Sequence, residues 1–123
     1  MDNDDLTLEE RQAESNNILT KYPGRVPVIV RKSPNSKLND IDKKKFLVPY
    51  DLTMGQFLYV IRKRIKITET ESLFLFINDS ILPLSSDTIY SIYTNNKDKD
   101  GFLYLTYCNE NTFGNLKNWI NKE

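Results

Sequence analysis

Apolar residues recur along the chain at two different periods. After Met54 they fall at Phe57, Leu58, Ile61 and Ile65, the spacing that turns one face of a helix toward a core. Thr53, with Gln56 three residues on, has capping-box spacing and predicts a helix over 54–66. Arg62, Lys63, Arg64 and Lys66 crowd its last turns, where cations favour the helix dipole. Thr7-Leu8-Glu9-Glu10 has the same spacing and predicts a helix over 8–20, weakly amphipathic through Leu8, Ile18 and Leu19 and stopped by Pro23-Gly24. Elsewhere the apolar runs are short and β-branched or aromatic. Val26 to Val30 and Phe46-Leu47-Val48 read as strands, the second ended by Pro49. Proline has no N–H, so Pro27 is expected at a strand start or a sheet edge. Leu73 to Ile77 is a continuous apolar run of the kind that fits a central strand. Residues 86–93 suit a short helix, Asp100-Gly101 a turn, and Phe102 to Tyr107 the last strand.

The order is helix, β, β, helix, β, short helix, β. Without the first helix this is ββαββ, two hairpins separated by a helix that packs on one face of a mixed sheet. The expected class is α+β: a ubiquitin-like β-grasp of four strands with a central helix, plus an N-terminal helix. The chain divides into an acidic leader (1–7), the N-terminal helix (8–24), the β-grasp domain (25–108), a polar arm (109–114) and a tail (115–123).

Composition narrows the function. The chain has 123 residues, 39% hydrophobic and 11% aromatic, enough for one core. No run approaches the ~18 apolar residues of a membrane span, and the acidic start has no apolar signal region. With one cysteine, Cys108, no internal disulfide forms, which points to the cytosol or nucleus. Net charge is zero but uneven. Residues 21–66 carry twelve bases against Asp40, Asp42 and Asp51. Such a bias suits an acidic peptide, a lipid headgroup or a nucleic acid, and equally a solvated face. Aromatics are not interleaved with the bases as a nucleotide-stacking platform requires, so no nucleic-acid partner is expected.

Catalytic chemistry is thin. Histidine is absent, which removes Ser-His and Cys-His dyads and the usual metal ligands. Cys108 reads as a small buried hydrophobe. The four glycines form no phosphate loop. The expectation is a non-enzyme without cofactor or metal.

The stretch Lys21-Tyr22-Pro23-Gly24-Arg25-Val26-Pro27-Val28-Ile29-Val30 resembles the start of the autophagy ubiquitin-like modifier family, the family of the GABA-receptor-associated protein and microtubule-associated light chain 3. The likeness continues through Asp42-Lys43-Lys44-Lys45-Phe46-Leu47-Val48-Pro49, Asp51 to Phe57, Ile61 to Ile65, Asp100-Gly101-Phe102-Leu103-Tyr104 and Phe113-Gly114. It covers about 8–114 in order and is nearest the GABA-receptor-associated branch, as an unprocessed precursor. The resemblance implies cleavage after Gly114 by a cysteine protease. It implies ATP-dependent activation, thioester transfer between activating and conjugating enzymes, and attachment to phosphatidylethanolamine. It implies a cytoplasmic monomer that moves to the autophagosome membrane when lipidated and recruits cargo receptors. A glycine terminus suits this, because it threads a narrow enzyme channel and presents its carbonyl to a thiolate. The other reading that fits is a non-conjugated β-grasp interaction module.

Members of the family dock peptides of the pattern aromatic-x-x-aliphatic, often preceded by acids, along the second strand. Carried over, an aromatic pocket would use Glu14, Ile18, Pro27, Ile29, Lys45, Leu47 and Phe102. An aliphatic pocket would use Phe46, Val48, Pro49, Phe57, Val60, Ile61 and Arg64, and Arg25, Lys43 and Lys45 would meet the acids. Core packing competes for the apolar members, above all Phe57 and Ile61. Two departures stand out. The leader is short and acidic, with Leu8 where relatives carry an aromatic, and the relatives' first small helix is expected to be missing. In the tail, Phe113-Gly114-Asn115-Leu116 with Glu110 upstream itself fits the docking pattern.

Overall fold

The computed structural model describes residues 3–110. Phe113, Gly114 and the tail 115–123 lie outside the described residues. Helix α1 runs Leu8–Lys21. Thr7 Oγ accepts from the Glu10 N–H at 3.1 Å while Glu10 Oε1 accepts from the Thr7 N–H at 2.9 Å, which closes the capping box. Thr53 and Gln56 repeat the arrangement ahead of α2, Met54–Arg64. α3 spans Ile89–Asn96, later than the 86–93 expected, because Thr88 is its N-cap and accepts from the Ser91 N–H. Asp87 instead closes the preceding turn, its carboxylate accepting from the Leu84 N–H.

Four strands form one mixed sheet: β1 (Arg25–Lys32), β2 (Lys45–Pro49), β3 (Phe74–Ile77) and β4 (Leu103–Cys108), in the order β2-β1-β4-β3. β1 pairs antiparallel with β2 and parallel with β4, and β3 pairs antiparallel with β4. This is the expected α+β β-grasp. Alternation sends Val26, Val28, Val30, Phe46, Val48, Leu75, Ile77, Leu103, Leu105 and Tyr107 to one face. There they bury against Met54, Phe57, Ile61 and Ile65 of α2 and Ile89, Ile92 and Tyr93 of α3. Cys108 is fully buried as a free thiol.

Two strand expectations are exchanged. Pro27 sits inside a central strand, and Leu73 to Ile77 supplies an edge strand. The hydrogen-bonding register explains the first. Tyr50 N–H bonds to Gly24 O and Val30 N–H to Lys44 O, so by alternation Pro27 faces Leu47 at a non-bonded position. Its missing N–H would point toward β4, whose pairing begins only at Val28. As for β3, an unbroken apolar run reports two covered faces, not two paired edges. Leu75, Phe76 and Ile77 are each 3% exposed although β3 has a single partner strand.

The opposite face carries α1, and the attachment is polar. Ser15 is the one fully buried residue of α1, and it donates to Asp100 O at 2.6 Å. Asp100 is 1% exposed and accepts from Arg11 Nε at 3.0 Å, from the Phe102 N–H at 2.8 Å and from the Tyr104 hydroxyl. Gly101 permits the close approach: its φ is +89°, and a Cβ there would stand 2.3 Å from Ser15 Oγ. Residues 3–5 of the leader hold a short turn, although the first small helix was expected to be missing. Asn3–Asp5 forms a 3-10 turn, Asn3 is buried and donates to the Tyr104 hydroxyl at 3.1 Å, and Asp4 pairs with Arg31 at 2.8 Å. The basic strand answers the acidic leader, so one short turn stands where none was expected.

Asp100→Ala leaves Arg11 and the Phe102 N–H without their partner in a buried site. We expect a loss of about 3 kcal/mol of unfolding free energy, the lower end for removing one member of a buried ion pair, measured by urea denaturation. A loss below about 1 kcal/mol, within the range of an exposed pair, would contradict this role.

Candidate docking edge of the sheet

β2 is an edge strand, and its register decides which backbone groups stay open. Positions 24/50 and 30/44 are bonded pairs, so Lys45, Leu47 and Pro49 lie at non-bonded positions toward β1. The N–H groups of Lys45 and Leu47, and the carbonyls of both, therefore point away from the sheet. Arg25 Nη1 already donates to the Leu47 carbonyl at 3.1 Å. At the other edge, Ile77 of β3 gives its N–H to the carbonyl of Ile81 at 2.7 Å, so a turn closes part of that edge.

Side chains alternate along β2. Lys45, Leu47 and Pro49 are half-buried, while Phe46 and Val48 enter the core. Lys45 reaches over to α1, and its Nζ lies 3.0 and 2.9 Å from the two oxygens of Glu14. The same ammonium stands 5.8 Å from the Phe102 ring centroid. Lys45 thereby ties β2 to Glu14 of α1, while Ile18 of α1 and Leu47 of β2 are each half-buried. Pro27, Ile29 and Phe102 belong to the same sheet face and are each at most 2% exposed. From Lys45 and Ile29 an open cleft of about 750 Å³ continues past Arg31, Lys32 and Lys44 to Asp40 and Asp42.

The residues assigned to the aliphatic side are brought together differently. Phe46, Val48, Phe57 and Ile61 are core residues, with Ile61 fully buried and Phe46 meeting Phe57 edge to face at 5.6 Å. Core packing is the role the structure gives them. Pro49, Val60 (38% exposed) and Arg64 remain accessible. Two cations sit over Phe46, Lys43 Nζ at 5.2 Å and the Arg64 guanidinium at 5.8 Å from its centroid, and Arg64 also pairs with Asp42 at 3.4 Å. The three cations assigned to acids are split. Lys43 and Lys45 lie at the start of β2, whereas Arg25 pairs in register with Pro49 at its far end. Sequence reasoning missed the hold of Arg25 on the Leu47 carbonyl, and only the one-in-two bonding pattern of β2 could have suggested it. It also missed the leader, whose acids were visible while their partner Arg31 was not.

The polar network behind α1 perturbs two tyrosines. Burial, reinforced by the hydrogen bond to Asp100, pushes the Tyr104 hydroxyl up to about 12. Burial first, then the negative charge of Asp100, raises Tyr93 as well. Among the described residues no cluster of three or more acids, histidines and cysteines is placed to hold a metal, and no helix is long and apolar enough to cross a membrane.

A four-stranded mixed sheet with α2 and α3 packed on one face and α1 on the other defines a ubiquitin-like protein with an N-terminal extension. The family profile described as "Autophagy protein Atg8 ubiquitin like" matches residues 10–114. The chain is 56% identical over 112 residues to Autophagy-related protein 8B of Oryza sativa subsp. indica, covering 91% of this chain and 93% of that protein. It is 53% identical over 113 residues to Autophagy-related protein 8 of Schizosaccharomyces pombe, covering 92% and 93%. The crystal structure of Trypanosoma brucei ATG8 superposes with a TM-score of 0.80 at 42% identity, over 86% of this chain and 90% of that one. The chain belongs to the Atg8 family of autophagy ubiquitin-like proteins.

The raised Tyr104 has a consequence for stability. Its folded pKa exceeds that of the unfolded chain, so its contribution is complete below pH 10 and is lost as pH rises through about 12. Tyr107, also pushed up to about 12 by burial and by Asp40, adds to the same window. The urea midpoint should fall between pH 10 and 12, and Tyr104→Phe should make that fall shallower. An identical pH profile in the variant would remove Tyr104 from the account.

Proposed function

We propose that the chain is a conjugated modifier of autophagy, cut after Gly114 and joined there to phosphatidylethanolamine. On the membrane it would gather cargo receptors through the β2 edge. Family membership supports the pathway. The observation that carries the docking part is the outward-facing backbone of Lys45 and Leu47, next to the Lys45 ammonium held between Glu14 of α1 and the Phe102 ring. A peptide strand laid against β2 would gain main-chain hydrogen bonds, its aromatic side chain would pack between α1 and β2 beside Lys45, and its aliphatic side chain would meet Pro49 and Val60. Acids upstream of the aromatic meet Lys43 and Lys45, while Arg25 guards the far end.

The conjugation chemistry asks little of this chain beyond its end. The Gly114 carboxylate is activated with ATP and held as a thioester on a conjugating enzyme. The lipid amine attacks the thioester carbonyl, an amide forms, and the thiol leaves. The chain is the group transferred, and the catalytic cysteines belong to its protease and to the activating and conjugating enzymes. In this reading it is cytoplasmic before lipidation and sits on the autophagosome membrane after it.

Lys45→Ala with Leu47→Ala should weaken binding of an acidic aromatic-x-x-aliphatic peptide by at least about 30-fold, some 2 kcal/mol, the scale of a hot-spot loss. The circular dichroism spectrum should not change, since both side chains are half-buried rim residues. Unchanged affinity by calorimetry would count against the edge. Gly114→Ala separates the two halves of the proposal: peptide affinity should survive, while mass spectrometry after incubation in lysate should show no lipid adduct. A lipid adduct on Gly114→Ala would place the attachment point elsewhere.

A further inference from the structure

The tail carries the pattern that the edge is proposed to receive, and topology says whose edge it can reach. Phe113 and Leu116 are spaced as aromatic-x-x-aliphatic, with Glu110 three residues before the aromatic. β4 ends at Cys108, one step beyond the Tyr107–Lys32 pair, and β2 begins at Lys45, opposite Ile29. The two points are two strands across and four residues along. At ~4.8 Å per strand and ~3.3 Å per residue they lie roughly 16 Å apart. The five residues 109–113 reach about 17 Å when fully extended. That length only just meets Lys45 along a straight line, with no slack left to lay a strand along β2. The 33–44 connection, which joins β1 to β2 at this end of the sheet, is itself held to the end of β4 by Ser33 N–H to Tyr107 O and by Lys37 N–H to Asn109 Oδ1. To reach its own edge the chain's tail would have to be fully taut, a limit that a neighbour's tail does not meet.

We infer that the full chain associates with a second copy of itself, each donating Phe113 to Leu116 to the β2 edge of the other. This rests on the docking reading proposed above. Glu110 then stands near Lys43 and Lys45 of the neighbour, opposite in charge. Reciprocal exchange closes a two-fold dimer and avoids an open filament, and two weak strand additions reinforce one another. Gly114 lies inside the docked segment. Cleavage after it parts Phe113 from Leu116, so processing both ends the self-association and frees the edge for other peptides.

Sedimentation equilibrium of the full chain, from micromolar to near-millimolar concentration, tests this. The average mass should rise toward that of a dimer. Leu116→Ala, which spoils the donated segment, should stay monomeric, and so should Lys45→Ala with Leu47→Ala, which spoils the acceptor. An equimolar mixture of the two variants should associate again, because one supplies a sound tail and the other a sound edge. A full chain that is monomeric throughout, or a Leu116→Ala chain that still dimerises, overturns the inference. Titrating Leu116→Ala with an aromatic-x-x-aliphatic peptide locates the fault. If the peptide binds while the full chain stays monomeric, self-docking alone fails. If the peptide does not bind, the docking reading fails and self-docking fails with it.

Discussion

The structure depends on the parallel pairing of β1 with β4. Parallel neighbours cannot be joined by a hairpin, so everything between them must leave the sheet and return. Here that crossover runs from 33 to 102 and holds β2, α2, β3 and α3. It lays α2 across one face, places the first and last strands at the centre, and pushes β2 and β3 to the margins. The centre is accordingly the most deeply buried part, with Val28, Val30, Leu103 and Leu105 at 0% exposure. The same constraint leaves one five-residue edge, β2, with its backbone groups turned outward. The open β2 edge is thus a by-product of how the core closes.

The second face follows a different rule. α1 has little apolar surface to offer and is attached by a buried carboxylate instead. Asp100 gathers a guanidinium, a hydroxyl and a backbone N–H, and its own carbonyl takes the Ser15 hydroxyl. Such a network tolerates few alternative arrangements, since each lost partner leaves a buried polar group unpaired. This matters for the proposed docking edge, because α1 carries Glu14, the partner of Lys45. Arg11 and Ser15, the α1 residues held by Asp100, flank Glu14 and precede Ile18 on the same helix, so this network helps fix where Glu14 stands.

Much of this was legible in the sequence. Both capping boxes, the amphipathic α2 and the alternation of β2 follow from local spacing, and local spacing carried them into the structure unchanged. What local spacing does not encode is adjacency. Pro27 and the Leu73 to Ile77 run were assigned to the wrong parts of the sheet because a proline or an apolar run describes its own strand and says nothing of the neighbours. The site divides along the same line. Lys45 and Leu47 were readable as a rim because a lysine seldom lines a closed core, whereas Phe57 and Ile61 belong to the core that the helical period already predicted. The pairings Glu14–Lys45, Asp4–Arg31 and Arg11–Asp100 join residues 27 to 89 positions apart, and no single-chain pattern signals them.

An open edge is a hazard as well as a site, and the residues on this one limit the hazard. An unguarded strand invites any extended chain to pair with it. Here Pro49 presents no N–H, Lys45 brings a charge, and Arg25 occupies the Leu47 carbonyl. A peptide that offers backbone alone must displace Arg25 in exchange for hydrogen bonds of similar worth, about 1 kcal/mol each. It gains little. A peptide that also buries an aromatic ring gains a further ~1.5–3 kcal/mol from apolar burial. The Glu14–Lys45 pair it must disturb is about one-third exposed on both sides, and such pairs contribute only ~0–1 kcal/mol. The guard is therefore strong enough to discourage indiscriminate pairing and weak enough to yield to the right side chain. In the proposed docking, selectivity at this edge would arise less from the strand that is added than from the ring that comes with it.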